Sequence, residues 1–250
     1  MRYQKDMFGI LAAGMCTVLL LSVLSITFVT IAKAEETDLM FPVNSSPYGI
    51  SFQEWTQKWW QWYVKIPKLN NHNFENTPGY NAVDCSYKQE DINSPVFFVP
   101  YVLKEKGQPS AEATCNIPRN KAVMVGIDNG LMDYADPTVQ PKTPEKATEL
   151  VKKSNEHPNK FDIALDGKPI PLTNEQKDRV LSKLFTIDLP PNNIWYKEEK
   201  HADPSVADGW YLMLKPLSPG THILHYTTGY GVANEKGGYI QEVTYKLVVR

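Results

Sequence analysis

The chain lacks the short motifs that mark the common hydrolase and nucleotide-binding classes. It contains no Gly-x-Ser-x-Gly elbow, no His-Glu-x-x-His helix and no phosphate-binding glycine loop. It also lacks a basic excess, because 26 Lys and Arg residues stand against 28 Asp and Glu residues. The charge balance predicts no nucleic-acid partner. The missing motifs favour a non-enzymatic protein, although catalytic carboxylates on separate strands would leave no motif.

Charge is absent from a long N-terminal run. Residues 8–32 contain no charged side chain, and the basic residues Arg2 and Lys5 precede them. Ala32-Lys33-Ala34 fits a small-x-small cleavage site, so we expect residues 1–34 to be a signal peptide that is cleaved after Ala34. The alternative is an uncleaved signal anchor, because the run is long enough to span a bilayer.

Both alternatives place one exported domain, residues 35–250, outside the cytoplasm. It is expected to be secreted, or anchored to the outer face of the cytoplasmic membrane by residues 8–32, with no other membrane contact. Asn44-Ser45-Ser46 is a glycosylation acceptor triplet, but whether it is used stays open.

Cysteine is scarce, with three residues in the whole chain. Cys16 lies inside the apolar run, so the exported part keeps only Cys85 and Cys115. An oxidising compartment permits a disulfide between them, and we predict that bond. No pattern indicates a cofactor, and the five histidines do not keep the spacing of a metal site.

Aromatic residues are abundant, and they concentrate in one segment. Ser51 and Glu54 form a capping box ahead of it and Pro67 follows it, which predicts a helix over residues 51–66. Three tryptophans lie on one stripe of this helix and are expected to anchor it in the core: Trp55, Trp59 and Trp62.

Trp60 lies on the shoulder of that stripe. We expect its ring to be partly exposed, as a stacking surface for a sugar or a partner. Packing at the rim of the core is the equally weighted alternative for this residue.

Short apolar and alternating runs bounded by turn residues dominate the rest of the chain. They predict a mainly β fold, an antiparallel β-sandwich or a jelly-roll-like domain, with the Trp-rich helix and a second short helix capped by Thr143. Asp166-Gly167 predicts a tight hairpin turn. Residues 128–136 are interpreted as an acidic loop, and Cys115 as part of a polar loop. The predicted strands cover residues 96–103, 121–127, 161–170, 184–189, 209–215, 221–227 and 239–249.

A family resemblance is carried by the run from Asp208 to His222, which reads Asp-Gly-Trp-Tyr-Leu-Met-Leu-Lys-Pro-Leu-Ser-Pro-Gly-Thr-His. With the Trp-rich helix, it resembles a family of exported bacterial and archaeal proteins of unknown function. The resemblance implies export and a single β-rich domain, and it supplies no catalytic residues. One departure is Asn120, where that family leads us to expect Gly, so the turn there is expected to differ.

The candidate binding residues are Trp60 and a polar cluster of His201, Asp203 and Asp208. A binding role for an envelope component, a polysaccharide or a protein partner is the first hypothesis, since the catalytic residues stay unknown. His222, by contrast, is expected to hydrogen-bond a turn carbonyl.

Two other functions stay open. An exported hydrolase acting on a polymer would use carboxylates from Asp128, Asp133, Asp203 or Asp208. A metal-binding accessory protein would use His201 with Asp203, although no motif supports a metal.

Overall fold

The fold of the chain is described here from a computed structural model. The predicted signal segment 1–34 and its cleavage site after Ala34 lie outside the described residues. The structure describes residues 39–66, 85, 89, 93–102, 110–134, 136, 138–155, 158–189, 191, 200–231 and 239–250.

The described part of the chain forms two five-stranded sheets and two α-helices. Sheet A has the order β1-β3-β8-β6, with β7 also paired to β8, and sheet B has the order β2-β10-β9-β4-β5. The helices are α1, Phe52–Tyr63, and α2, Pro144–Ser154. The strands are β1 Val96–Val99, β2 Ala111–Ile117, β3 Ala122–Asp133, β4 Lys160–Leu165, β5 Lys168–Pro169, β6 Val180–Leu181, β7 Phe185–Leu189, β8 Lys200–Leu214, β9 Gly220–Tyr230 and β10 Tyr239–Val249.

The two sheets pack face to face, which confirms the predicted mainly β, sandwich-like fold with a Trp-rich helix. One core fills the space between them, with Val125 and Leu212 from sheet A and Leu224 and Tyr245 from sheet B all fully buried. Two pairs, β1 with β3 and β2 with β10, are parallel, so the sheets are mixed rather than purely antiparallel.

Burial explains the different sequence patterns of the strands. Sheet A is covered on both faces, and the first half of β3 is therefore buried at every position. Sheet B has one solvated face, so β2 alternates strictly between buried and exposed residues. The continuous and the alternating hydrophobic patterns thus report two different positions in the sandwich.

Helix α1 covers the face of sheet A that is turned away from sheet B. Its N-cap is Ser51, whose Oγ accepts a hydrogen bond from the Glu54 amide at 3.2 Å. Trp55, Trp59 and Trp62 are at most 3% exposed and pack on residues of β1, β3 and β8. The aromatic stripe is thus the surface that fixes the helix on the sheet.

Helix α2 covers the opposite face of sheet A, beside the end of sheet B. Thr143 caps it by accepting a hydrogen bond from the Lys146 amide, and Pro144 occupies its first turn. Val151 packs against Val206 of β8. Val206 and Trp210 are four residues apart on β8, so their side chains lie on the same face of sheet A. Helix α2 and sheet B therefore cover neighbouring parts of that face.

Two turns depend on positive φ angles. Asp166 and Gly167 have φ values of 52° and 75°, which fit the predicted hairpin turn between β4 and β5. Asn120 has a φ of 63°. Asparagine tolerates this left-handed conformation better than most residues, so the turn keeps a geometry that suits glycine, contrary to the expectation of a different turn.

Three sequence interpretations need correction. The predicted acidic loop from Asp128 is wrong, because β3 continues as a strand to Asp133. The predicted polar loop around Cys115 is wrong, because this residue is in β2. The strand predicted over residues 209–215 begins earlier, since β8 pairs with β7 and with the second half of β3.

Cys85 and Cys115 form the predicted disulfide, with their Cα atoms 5.3 Å apart. Such a bond is compatible with an extracytoplasmic location. Within the described residues, no helix is long and apolar enough to cross a membrane.

Candidate functional site

A bulge in β3 sets the direction of the Asp128 side chain. Gly126 pairs with Tyr211 and Asp128 pairs with Trp210, so Ile127 is an extra residue in the ladder. The bulge places Asp128 on the same face of sheet A as Trp210, the face that packs against sheet B. There the carboxylate accepts a hydrogen bond from Thr228 of β9 at 2.5 Å, which joins the two sheets.

The chain approaches closely beside this bulge. Gly209 has a φ of 135°, and a Cβ atom placed on it would lie 2.3 Å from the Asp128 carbonyl oxygen. Any larger residue would therefore push β8 away from the bulge, and we infer that this glycine keeps Asp128 in place.

A hydrogen-bonded group of tyrosines lies at the same end of the sandwich. Tyr101, just after β1, donates its hydroxyl proton to Gln241 Oε1 at 2.8 Å, and Tyr239 donates to the same oxygen. The two hydroxyl oxygens are 3.5 Å apart. Gln241 is fully buried and donates from Nε2 to the carbonyl of Val102, which fixes the orientation of its amide.

Two aromatic rings at this end remain open to solvent. Tyr230 and Tyr239 are cross-strand partners at the ends of β9 and β10, and they are 45% and 39% exposed. Their ring centroids are 6.2 Å apart. The preceding Gly229 permits this pairing, because a Cβ atom there would lie 1.9 Å from the Tyr239 carbonyl oxygen. We call the whole cluster the tyrosine end; it consists of Tyr101, Asp128, Thr228, Tyr230, Tyr239 and Gln241.

The tyrosine end shifts the titration of its own groups. Burial raises the pKa of Asp128, although the hydrogen bond from Thr228 and the charge of Arg179 act in the opposite direction. Burial also raises the pKa values of Tyr101 and Tyr239, and the nearby Asp128 carboxylate adds to both shifts. The phenols therefore stay protonated at physiological pH, and Asp128 is the acidic group of the cluster, with burial shifting its pKa upwards.

A buried ion pair lies behind Asp128. Arg179 and Asp208 are 8% and 1% exposed, and the guanidinium donates a bifurcated hydrogen bond from Nε to both carboxylate oxygens and another bond from Nη2. Nη2 also donates to the carbonyls of Lys152 and Asn155 at the end of α2. The guanidinium stacks on Trp210, 5.2 Å from its ring centroid. The pair joins α2 to sheet A, and removing one partner would leave a buried charge without compensation.

The predicted binding residues do not form one site. Of the two alternatives for Trp60, the partly exposed ring is wrong and packing is confirmed: the residue is 5% exposed, and its indole donates to the Tyr211 hydroxyl at 2.7 Å. Asp208 is bound to Arg179 rather than open to a ligand. His201 and Asp203 belong to β8, but their side chains lie outside the described residues.

The remaining candidate carboxylates differ in accessibility. Asp133 is 4% exposed and accepts a hydrogen bond from the Asp136 amide at 3.0 Å. Asp128 is half-buried and belongs to the tyrosine end. Among the residues with described side chains, no group of three or more His, Cys, Asp or Glu residues is placed to hold a metal ion.

His222 forms a separate surface cluster at the opposite end of β9. Its Nδ1 donates to Asp166 at 2.7 Å and its Nε2 donates to the Ser218 carbonyl at 2.9 Å, which confirms the predicted turn contact. The Ser218 hydroxyl is 3.3 Å from the same Nε2. The order Ser, His and Asp is that of a catalytic triad, but the carbonyl already occupies the nitrogen that would have to accept the serine proton. The cluster is therefore a turn contact rather than a nucleophile.

Sequence patterns place Asp128 only in the hydrolase alternative, and they do not identify its neighbours in the tyrosine end. A signal for them exists in β9 and β10, where the inward positions change from apolar to polar or aromatic: Leu224, Tyr226, Thr228 and Tyr230 in one strand, and Val243, Gln241 and Tyr239 in the other. Core positions that turn polar towards one end of a strand indicate an opening in the sandwich.

Comparison with known proteins supplies no further assignment. No protein-family model matches the chain, and no curated protein is similar to it. The geometry of the tyrosine end is therefore the basis for a functional proposal.

Proposed function

We propose that this protein is an extracytoplasmic glycan-binding domain, and that the tyrosine end is its binding site. The observation that carries the proposal is the pair of exposed rings, Tyr230 and Tyr239, beside the half-buried carboxylate of Asp128. The signal segment predicted over residues 1–34 and the resemblance to exported proteins support the location. The Cys85–Cys115 disulfide agrees with it.

The chemistry of the tyrosine end suits a sugar. A pyranose has apolar C–H faces that pack on an aromatic ring and hydroxyl groups that need hydrogen-bond partners, so it requires both kinds of surface side by side. Tyr230 and Tyr239 offer the rings, while Asp128 and the Tyr239 hydroxyl offer the polar atoms. Both elements sit on β-strands, which hold them in place before the ligand arrives.

Binding is favoured over hydrolysis because of how the carboxylates are used. A glycosidase needs two carboxyl groups on either side of the scissile bond. Of the candidates with described side chains, Asp208 is paired with Arg179 and Asp133 is buried, which leaves Asp128 as the accessible carboxylate. Among the described side chains, this arrangement favours recognition over turnover.

The test is a binding assay of the exported protein on a panel of insoluble polysaccharides, comprising cellulose, xylan, chitin and chitosan. Binding to at least one of them is expected, and Tyr230→Ala should weaken it about tenfold, because one stacking aromatic is worth roughly 1–1.5 kcal/mol. Tyr48→Ala is the matched control, since Tyr48 is also 45% exposed but precedes α1.

Two results would contradict the proposal. One is the absence of binding to every polysaccharide in the panel. The other is an equal loss of binding in Tyr48→Ala and Tyr230→Ala, which would indicate non-specific adhesion through exposed aromatics.

A further inference from the structure

We infer that the tyrosine end recognises a primary ammonium group, the free amine of an amino-sugar unit in the bound glycan. This inference rests on the proposed function and specifies the substrate class for the same site. It follows from the acceptors to which the hydroxyl groups of the tyrosine end donate, and from the single described hydrogen bond that the Asp128 carboxylate accepts.

The hydroxyl protons of the cluster are used inside the protein. Tyr101 and Tyr239 both donate to Gln241 Oε1, and Thr228 donates to Asp128. The Gln241 amide cannot be reversed, because its Nε2 already donates to the Val102 carbonyl, which would repel an oxygen in that place. What the hydroxyl groups of Tyr101, Tyr239 and Thr228 can still offer a ligand is therefore acceptor lone pairs.

An array of acceptors selects a group that only donates. A primary ammonium has three N–H donors and no acceptor, so it suits acceptor atoms such as the Asp128 carboxylate and the lone pairs of the Tyr239 hydroxyl. An N-acetyl group brings a carbonyl oxygen that would face other acceptors. A quaternary ammonium such as choline has no N–H to donate, although aromatic rings attract it.

The charge of the site also favours an ammonium group. Among the described residues, Thr228 supplies the single hydrogen bond that Asp128 accepts. The cation that acts on this carboxylate is Arg179, which is already bound to Asp208. A half-buried carboxylate with one hydrogen bond gains from a cationic ligand, since charge-assisted hydrogen bonds are about twice as strong as neutral ones.

The experiment compares three tetrasaccharides with the same β-1,4-linked backbone that differ only at C2. Cellotetraose carries a hydroxyl there, the chitin tetramer an N-acetyl group and the chitosan tetramer a free amine. Calorimetric titration below neutral pH should show the amine tetramer binding at least about tenfold more tightly than the other two, the gain expected from one charge-assisted hydrogen bond.

Asp128→Asn is the variant that isolates the carboxylate. The amide oxygen can still accept the Thr228 proton, so the fold is retained while the charge is removed. We expect this variant to bind the three tetramers with similar affinity. Asp162→Asn, an exposed carboxylate on β4, is the control and should keep the preference for the amine.

The pH dependence gives a second readout that does not need a variant. The groups around Asp128 are Tyr101 and Tyr239, whose pKa values are raised, and the Arg179 guanidinium. Because burial raises the pKa of Asp128, the preference for the amine should disappear as the pH falls through that raised value. The weaker binding of cellotetraose should change little over the same range.

The outcomes separate the two proposals. If the three tetramers bind equally and Tyr230→Ala weakens all of them, glycan binding stands and the amine inference is overturned. If no tetramer binds, the proposed function fails, and the inference fails with it. If free lysine binds as tightly as the amine tetramer, the site recognises an ammonium without a sugar, which overturns glycan binding and the assignment of the amine to an amino sugar.

Discussion

His222 shows how a single side chain fixes the turn between β8 and β9. Burial lowers the pKa of His222, but the hydrogen bonds to Asp166 and to the Ser218 carbonyl outweigh it, so the pKa is raised above 6.5. Burial raises the pKa of Asp166, but hydrogen bonds from His222 and the Ile223 amide outweigh it and bring the pKa below 3.8. The two shifts describe one ion pair that joins the β4–β5 turn to β9.

We predict that Asp166→Asn changes the pH dependence of stability. The raised pKa of His222 contributes stability that is fully present below pH 6.5 and is lost as the pH rises through the folded-state pKa. The lowered pKa of Asp166 contributes stability that is fully present above pH 3.8 and is lost as the pH falls through the folded-state pKa. The wild type should therefore be more stable than the variant between these limits, with Tm values that converge at higher pH.

Asparagine suits this test because it tolerates the positive φ of Asp166 and can still accept the Ile223 amide proton. Thermal unfolding measured from acidic to alkaline pH gives the Tm curves, and NMR titration should show the His222 pKa moving down in the variant. Asp162→Asn removes one exposed carboxylate from the same strand, β4, as the control. A constant Tm difference across the whole pH range would contradict an electrostatic role.

At the scale of elements, helix α1 depends on how closely sheet A approaches it. Helical periodicity placed Trp60 on the shoulder of the aromatic stripe, where a flat partner surface would leave it open. The side chain is buried because Tyr211 extends from β8 and accepts its indole proton, while Trp59 packs edge-on against it with ring centroids 5.1 Å apart. The helix therefore buries a wider face than the stripe of three tryptophans.

Trp60→Ala is accordingly expected to destabilise the protein. Loss of a buried indole costs about 3–5 kcal/mol through lost burial and the cavity that remains, and the Tyr211 hydroxyl loses a donor. Urea unfolding followed by circular dichroism measures the free energy of unfolding. Gln53→Ala, at an exposed position of α1, should change it by less than about 0.5 kcal/mol. A loss below about 1 kcal/mol in Trp60→Ala would contradict the packing described here.

The elements differ in how far the sequence predicts them. Local signals were sufficient for the caps of α1 and α2, the Asp166–Gly167 turn and strand β10, whose observed bounds are those expected. They failed for β2, because its polar, alternating residues resemble a loop until β10 pairs with them. They also failed for the second half of β3, where the acidic residues hid a strand that β8 stabilises.

The candidate site could not be predicted from the sequence for a related reason. The position of Asp128 depends on the bulge after Gly126, and its neighbours come from β9, β10 and the chain after β1. Hydrophobic patterns predict which face of a strand is buried, but not where one sheet ends opposite another. The exposed Tyr230 and Tyr239 became informative only after their cross-strand pairing was known.

At the scale of the whole molecule, the disulfide links the edges of the two sheets. Cys115 belongs to β2, the outer strand of sheet B. Cys85 lies close in sequence to Gln89, whose side chain bonds both the amide and the carbonyl of Phe98 in β1, the outer strand of sheet A. The bond therefore connects the outer strand of sheet B to the segment that binds the outer strand of sheet A, and it closes one side of the sandwich.

We predict that the double variant Cys85→Ala/Cys115→Ala is less stable than the wild type by about 3–4 kcal/mol, because the unfolded chain is no longer restricted by a crosslink between residues 30 positions apart. Urea unfolding with and without a reductant measures this loss. Reduction of the wild type should reproduce it, whereas reductant should leave the double variant unchanged, which separates the loss of the bond from the loss of the two side chains. Equal stability of the oxidised and reduced wild type would show that the packing between the two sheets alone holds that side of the sandwich closed.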